Sequence, residues 1–342
     1  MVPERMVVVG ASAGGVRALE EFAGGLPADF PAAVLVVLHT APTQRSLLDF
    51  ILNRAGPLPA APATHGEPLA GGRIYVAVPD HHLIVMDGRV HVVRGPKENH
   101  YRPSVDVLFR SAARSYGARA IGVILSGSLS DGSSGMYALK RVGGIGIVQD
   151  PHEAAMSSMP LSALRRADID YSLPAREIGP ILAELVMTAP PKEPPDSAGY
   201  REGLKTDIGM SASDSAFERG IMEYGDPSVY TCPECNGVLF RIREGKVDRF
   251  RCHTGHGFST QALADGLTAK TEATLWQALK TLQESAALLN ECAARLADTG
   301  DATGAAVVSA QARGVHQRIG VLRELALTSS ETSEAGRLSG SG

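Results

Sequence analysis

Three residues able to share a proton relay occupy equivalent places in the sequence: Ser12, His39 and Asp131. Ser12 sits in Gly10-Ala-Ser-Ala-Gly14, directly after the apolar run Met6-Val-Val-Val9. A Gly-x-Ser-x-Gly turn between strand and helix lets a hydroxyl stand clear of small neighbours. The N–H groups of the following helix start, Ala13 among them, can then hold an oxyanion. A dinucleotide fingerprint fits worse. Its second glycine would fall at Ser12, and the strand end that should carry a ribose-binding acid carries His39. His39 closes Ala33-Val-Leu-Val-Val-Leu38, and Asp131 follows Ile121–Leu125 within the loop Ser126–Gly135. In an open parallel sheet, the carboxyl ends of neighbouring strands converge on one crevice. That shared address makes Ser12, His39 and Asp131 a candidate nucleophile, base and acid, in an order unlike that of the α/β-hydrolases. Singly, each has an ordinary reading: a chance glycine-rich turn, a strand-end histidine, an Asp-Gly turn. His65, His81, His82, His91 and His100 share this half, but none closes so clear a buried strand. Such a triad needs no cofactor.

A second group has metal-ligand spacing. Cys232-Pro-Glu-Cys235 and Cys252-His-Thr-Gly-His256 are separated by 16 residues. Between them, Val238–Ile242 and Asp248–Arg251 flank Glu244-Gly-Lys246, a hairpin pattern. A Cys-x-x-Cys knuckle, a hairpin and a second ligand pair is the plan of a zinc ribbon, which predicts structural zinc on Cys232, Cys235, Cys252 and His256. His253, adjacent to Cys252, is the alternate ligand. A redox Cys-x-x-Cys would instead begin a helix. Cys292, in a helical pattern, is expected to pack as an ordinary helix residue.

These residues need elements to carry them. The runs Met6–Val9, Ala33–Leu38, Ile74–Val78, Ile121–Leu125 and Ile145–Val148 are continuous Val/Ile/Leu stretches suited to strands buried on both faces. Helical patterns lie between them, Val16–Gly24 and one capped by Ser104 and running to about Tyr116. Asp87-Gly88, between alternating runs, predicts a β-hairpin over 83–93. The fold expected over 1–187 is a doubly wound, mostly parallel α/β sheet decorated by that hairpin. Ala189–Gly199 holds four prolines, so 188–225 reads as a flexible linker. A zinc-ribbon-like module over 226–258 and a helical hairpin over 259–328 follow, the latter broken at Thr299-Gly-Asp301. A Ser/Gly-rich tail over 329–342 is expected to be disordered. The apolar stripe on these helices, Leu263 to Leu282, suggests self-association or docking on a partner.

Composition excludes whole classes. With 33 basic and 37 acidic residues in 342, net charge −4, the chain is no polycationic nucleic-acid binder. The longest apolar run, Ala32 to Leu38, is far shorter than the ~20 residues of a membrane span. Four cysteines are too few for a disulfide scaffold, so a soluble cytoplasmic protein with reduced thiols is expected.

The stretches Val9–Gly15, Leu38-His-Thr-Ala-Pro42, Arg102–Phe109, Gly122–Gly127 and Asp131–Met136, with Met159-Pro160, resemble the catalytic domain of CheB, the chemotaxis protein-glutamate methylesterase. The resemblance covers about residues 5–186. It implies hydrolysis of γ-glutamyl methyl esters on methyl-accepting chemoreceptors, and deamidation of certain receptor glutamines. It places nucleophile, base and acid on Ser12, His39 and Asp131. Ala13 and Ser128 stand where the family has threonine and methionine. The first strand begins by residue 6, so the family's receiver domain is not expected. Related chains carry a cysteine-rich extension. Two other readings share these residues: a non-catalytic adaptor that keeps the α/β shell, and a serine esterase acting outside chemotaxis.

Overall fold

The structure is a computed structural model that describes residues 3–44, 46–212, 216, 218–245 and 247–338. The chain divides into two compact units, Met1–Leu263 and Ala264–Gly342.

The first unit is built on a parallel sheet of seven strands: β1 (Met6–Ala11), β2 (Ala33–Leu38), β3 (Ala60–Pro62), β4 (Arg73–Val76), then, after a separate hairpin of β5 (His82–Met86) and β6 (Arg89–Val93), β7 (Ala120–Ile124), β8 (Ile145–Gln149) and β9 (Tyr171–Leu173). The sheet order is β3-β4-β2-β1-β7-β8-β9. Every residue of β1 is buried, as a strand covered on both faces requires. Alternate side chains enter two separate cores. Val7 and Val9 pack with α1 (Gly15–Gly24), α2 (Leu48–Ala55) and α6 (Ala175–Met187). Met6 and Val8 pack with α3 (Val105–Tyr116), α4 (Ser133–Arg141), α5 (Ser158–Arg166) and the hairpin. This is the doubly wound fold. Asp87 and Gly88 turn the hairpin with φ of 51° and 69°, as a two-residue loop demands. The edge strands β3 and β9 are three residues each, too short to show in the sequence pattern.

The linker expectation for 188–225 is corrected. That segment carries α7 (Ser197–Ala212) and α8 (Ile221–Tyr224), and Leu204 and Ile208 of α7 join the second core. The prolines end at Pro195, and the helix begins two residues later. Asp207 of α7 is fully buried. It faces three arginines: Arg110 of α3, with Nε at 2.7 Å, and Arg249 and Arg251, each with a guanidinium nitrogen at 3.0 Å. Both latter arginines lie on the cysteine-bearing sheet, a four-stranded antiparallel array of β10 (Asp226–Thr231), β11 (Val238–Glu244), β12 (Val247–Cys252) and β13 (Gly257–Ser259). Glu98 completes the group, 2.5 Å from Arg110 and 2.8 Å from Arg251. Burial alone would raise the Glu98 carboxyl, but the charges of Arg110 and Arg251 hold it at about 2. The strands β11 and β12 pair as far as Glu244 and Val247, Gly245 turns the chain with φ of 60°, and Lys246 lies outside the described residues.

The second unit is a helical hairpin. The helix α9 (Thr260–Asp298) ends at Thr299-Gly300, Gly300 with φ of 83°, and Asp301 caps α10 (Ala302–Leu338) by accepting the Gly304 N–H at 2.8 Å. Leu279 and Ala286 pack on Val315 and Ile319. Two expectations are corrected here. Cys292 is exposed rather than packed, because it falls off the stripe through Leu279, Ala286 and Leu289. The tail beyond 329 continues α10 to Leu338, its Ser/Glu composition being compatible with helix; 339–342 lie outside the described residues.

Candidate active site

Ser12 occupies a turn that backbone bonding defines. Its N–H donates to Ser126 O at 2.9 Å, and its own carbonyl accepts the Gly15 N–H at 2.9 Å. Gly14 caps α1 with φ of 72°, and a side chain there would overlap Ala155 and the Ser126 hydroxyl. Ser126 braces the turn from β7: its hydroxyl donates to Ala13 O at 2.8 Å and accepts the Met156 N–H at 2.9 Å.

His39 leaves β2 beside that turn, its N–H donating to Ala11 O at 3.1 Å. The ring bridges the other two residues. Nδ1 lies 3.1 Å from Ser12 Oγ, and Nε2 lies 2.8 Å from Asp131 Oδ2. Tyr101 stacks on the ring at 3.7 Å between centroids and 7° between planes. The side chains of His39 and Asp131 are 3% and 0% exposed, so their hydrogen bond lies out of water.

Asp131 is held by six donors. Its Oδ2 accepts from His39 Nε2 and from Val105 N–H at 2.7 Å. Its Oδ1 accepts from Ser104 Oγ at 2.8 Å, Asn99 Nδ2 at 2.9 Å, Gly132 N–H at 3.1 Å and Asp106 N–H at 3.2 Å. Ser104 stands at the expected cap position of α3 but makes no cap hydrogen bond itself. The carboxylate of Asp131 takes the helix N–H groups instead, and the hydroxyl of Ser104 turns to that carboxylate. A side chain at Gly10 would overlap Val105, so the glycine lets the start of α3 lie against β1. Burial alone would raise the Asp131 carboxyl; the His39 hydrogen bond and charge, with Asn99 and Val105, hold it at about 2. Asp106 goes the other way. Burial and the neighbouring Asp131 charge push it up to about 7.

Spacing did not reveal Asn99, Tyr101 or Ser104, which surround the three residues. Of the other histidines, His82 is fully buried and donates Nε2–H to Pro96 O at 2.7 Å; burial lowers it to about 4 and keeps it neutral. Ser12, His39, Tyr101 and Arg102 line a cleft of about 490 Å³ at the carboxyl ends of β1 and β2, and Lys97 and His100 stand at its wall.

The structure also gathers Cys232, Cys235, Cys252 and His256, with ligand atoms all within 4.8 Å of one another. Cys235 and Cys252 sulfurs are 3.6 Å apart, and His256 Nδ1 is 3.5 Å from Cys252 Sγ and 3.8 Å from Cys232 Sγ. Zinc bonds of about 2.3 Å to sulfur and about 2.0 Å to nitrogen require tetrahedral edges of about 3.8 Å between sulfurs and about 3.5 Å between sulfur and nitrogen. The donor set therefore fits that ion. His253 is exposed and packs against Gly237, outside the group.

The sequence model of the family described as CheB methylesterase matches residues 7–182. A protein-glutamate methylesterase/protein-glutamine glutaminase of Anaeromyxobacter dehalogenans is 40% identical over 180 residues, 53% of this chain and 53% of its own length. A Leptospira interrogans relative is 34% identical over 52% of this chain and 93% of its own. The chain thus spans about half the length of the first of these relatives. The crystal structure of the Thermotoga maritima CheB methylesterase catalytic domain superposes with a TM-score of 0.51 at 35% identity, covering 53% of this chain and 98% of that one. With the matched segment holding all three of Ser12, His39 and Asp131 and the sheet that positions them, the chain belongs to the CheB methylesterase family.

Proposed function

We propose that the protein hydrolyses γ-glutamyl methyl esters of chemoreceptors, releasing methanol and glutamate, and deamidates receptor glutamines by the same route. The observation that carries this reading is the Ser12–His39–Asp131 relay at the floor of an open cleft. His39 Nδ1 accepts the Ser12 proton while Nε2–H stays bonded to Asp131, which defines the tautomer and stabilises the imidazolium. Ser12 Oγ attacks the ester carbonyl. The N–H of Ser12 is already taken by Ser126 O, so the oxyanion falls to the next amides of the α1 start, beginning with Ala13. Methanol leaves with the proton from His39, and water, deprotonated in turn by His39, frees the acyl-enzyme. Ammonia replaces methanol as leaving group in deamidation. Asn99, Ser104 and Tyr101 are positioning residues in this scheme. The substrate is a receptor helix in the cytoplasm, and among the described residues no helix is long and apolar enough to cross a membrane.

The test is methanol release from a methylated receptor fragment by the full chain. Release that stops when the fragment is unmethylated supports the reading. Turnover of a small ester with none on receptor would move the protein to a different ester substrate.

We propose further that Cys232, Cys235, Cys252 and His256 hold a structural zinc. Thiolate and imidazole donors suit zinc, and with four protein ligands it crosslinks β10–β13 without an open position for chemistry. Purified chain is expected to carry one zinc. Cys232→Ser with Cys252→Ser should abolish it, measured by metal analysis after dialysis; retention by that double variant would exclude the assignment.

A further inference from the structure

We propose that the Cys3His module is a positioning element of the active site, with Asn99 as the link, so that metal occupancy sets the catalytic competence of His39 and Asp131. This rests on the triad and zinc readings above.

The strand β13 begins one residue after His256 and has two bonded edges. One edge pairs with β12, which ends at Cys252. The other runs along residues 97–99 of the α/β layers. Gly257 N–H donates to Lys97 O at 3.2 Å, Asn99 N–H donates to Gly257 O at 2.8 Å, and Ser259 N–H donates to Asn99 Oδ1 at 2.8 Å. Asn99 is thus an outer rung of the metal-bearing sheet. It is 2% exposed, and its amide is fully used. With Oδ1 taken by Ser259, Nδ2 donates to Asp131 at 2.9 Å and to Asp106 at 2.8 Å. Rotating the amide would set its oxygen against both carboxyls and its NH2 against the Ser259 N–H. The β13 backbone therefore selects the orientation that holds Asp131.

Two further bonds run the same way. Ser259 Oγ lies 2.9 Å from the hydroxyl of Ser130, the residue before Asp131. His100 bonds to Glu234, between the knuckle cysteines, at 3.2 Å and to Ala262 O at 2.8 Å, and the next residue, Tyr101, stacks on His39. Asn99 and His100 both have positive φ, 51° and 72°, which turns the chain so that Asn99 meets β13 and Asp131 while His100 meets Glu234. The turn lies between β13 on one side and Asp131 on the other. Freed of the metal, β13 loses the crosslink at both its neighbours, His256 and Cys252, and with it the fixed register of 97–101.

The experiment compares full-length chain loaded with zinc and chain stripped by chelation under reducing conditions. It reads kcat and KM for p-nitrophenyl acetate, the low-field proton resonance of the His39 Nε2–H···Asp131 bond, and circular dichroism. Stripping should lower kcat about 100-fold, as expected for a misplacement near 1 Å, with KM nearly unchanged. The resonance should broaden or vanish, the helical signal should persist, and added zinc should restore all. Asn99→Ala should bind zinc as wild type does yet show the low kcat in both states. Equal kcat and an unchanged resonance in loaded and stripped wild type would overturn the proposal, a comparison that needs no variant to fold. So would an Asn99→Ala that still responds to zinc, or a stripped chain that unfolds, since fold rather than position would then be lost. A chain that binds no zinc fails the zinc reading, and a loaded chain with no esterase activity fails the triad reading. Bound zinc and normal activity without coupling sink this inference alone.

Discussion

Ser12→Ala is expected to lower methanol release by about 10⁴-fold or more, about 5.5 kcal/mol of transition-state stabilisation, while leaving the fold intact. Ser12 is only half-buried and its hydroxyl bonds to His39, so its loss strands one ring nitrogen near an open cleft. His39→Ala should cost a similar factor, and the double variant no more than either single, because the two act as one unit. Additive losses would show that they do not share a proton. Asp131→Asn should be as inactive for a different reason. Six donors converge on that carboxylate, at least two on each oxygen, and an amide there sets its own NH2 against two or more of them. It should therefore also lose stability, by about 1–3 kcal/mol. Ser12→Ala is the cleaner probe, and wild-type methanol release by Ser12→Ala would remove Ser12 from the mechanism.

The largest effect on stability is expected at Asp207. Asp207→Ala removes one of the two carboxylates that pair with the buried Arg110, Arg249 and Arg251, leaving Glu98, and should cost about 3–5 kcal/mol, read as a lowered urea midpoint of the first unfolding transition. A change below about 1 kcal/mol would mean that water reaches the cluster. The same group predicts acid sensitivity. Both Glu98 and Asp207 have folded carboxyl values below their usual range, Glu98 at about 2. Their contribution is whole above the unfolded values near pH 4 and is lost as pH falls toward 2. The wild type should therefore lose stability steeply between about pH 4.5 and 2, and Asp207→Ala less steeply.

Much of this was legible along the chain because it is local. Runs such as Met6–Val9 and Ala33–Leu38 are apolar on both faces, which only a covered parallel strand accommodates, and strand ends then locate Ser12, His39 and Asp131 without any knowledge of distance. Cysteine spacing works the same way, since the knuckle and hairpin enforce the approach of Cys232, Cys235, Cys252 and His256. The segment 188–225 was misread because its prolines are concentrated before Pro195, while the helix after them has a weak apolar stripe. Its order comes from Leu204 and Ile208, which join the second core, and from Asp207, whose partners lie up to 97 residues before it and 44 after it in sequence.

Sequence alone thus determined the residue types, the strand addresses and the grouping of Cys232, Cys235, Cys252 and His256, since each depends on periodicity or short spacing. Tertiary structure decided how the acid is held. The capping of α3 passed from Ser104 to Asp131, the amide of Asn99 was shared between Asp131 and β13, and Tyr101 came to lie on His39. Those contacts join segments as far apart as Asn99 and Ser259, and no local pattern encodes a hydrogen bond whose partners meet only after two sheets have packed together.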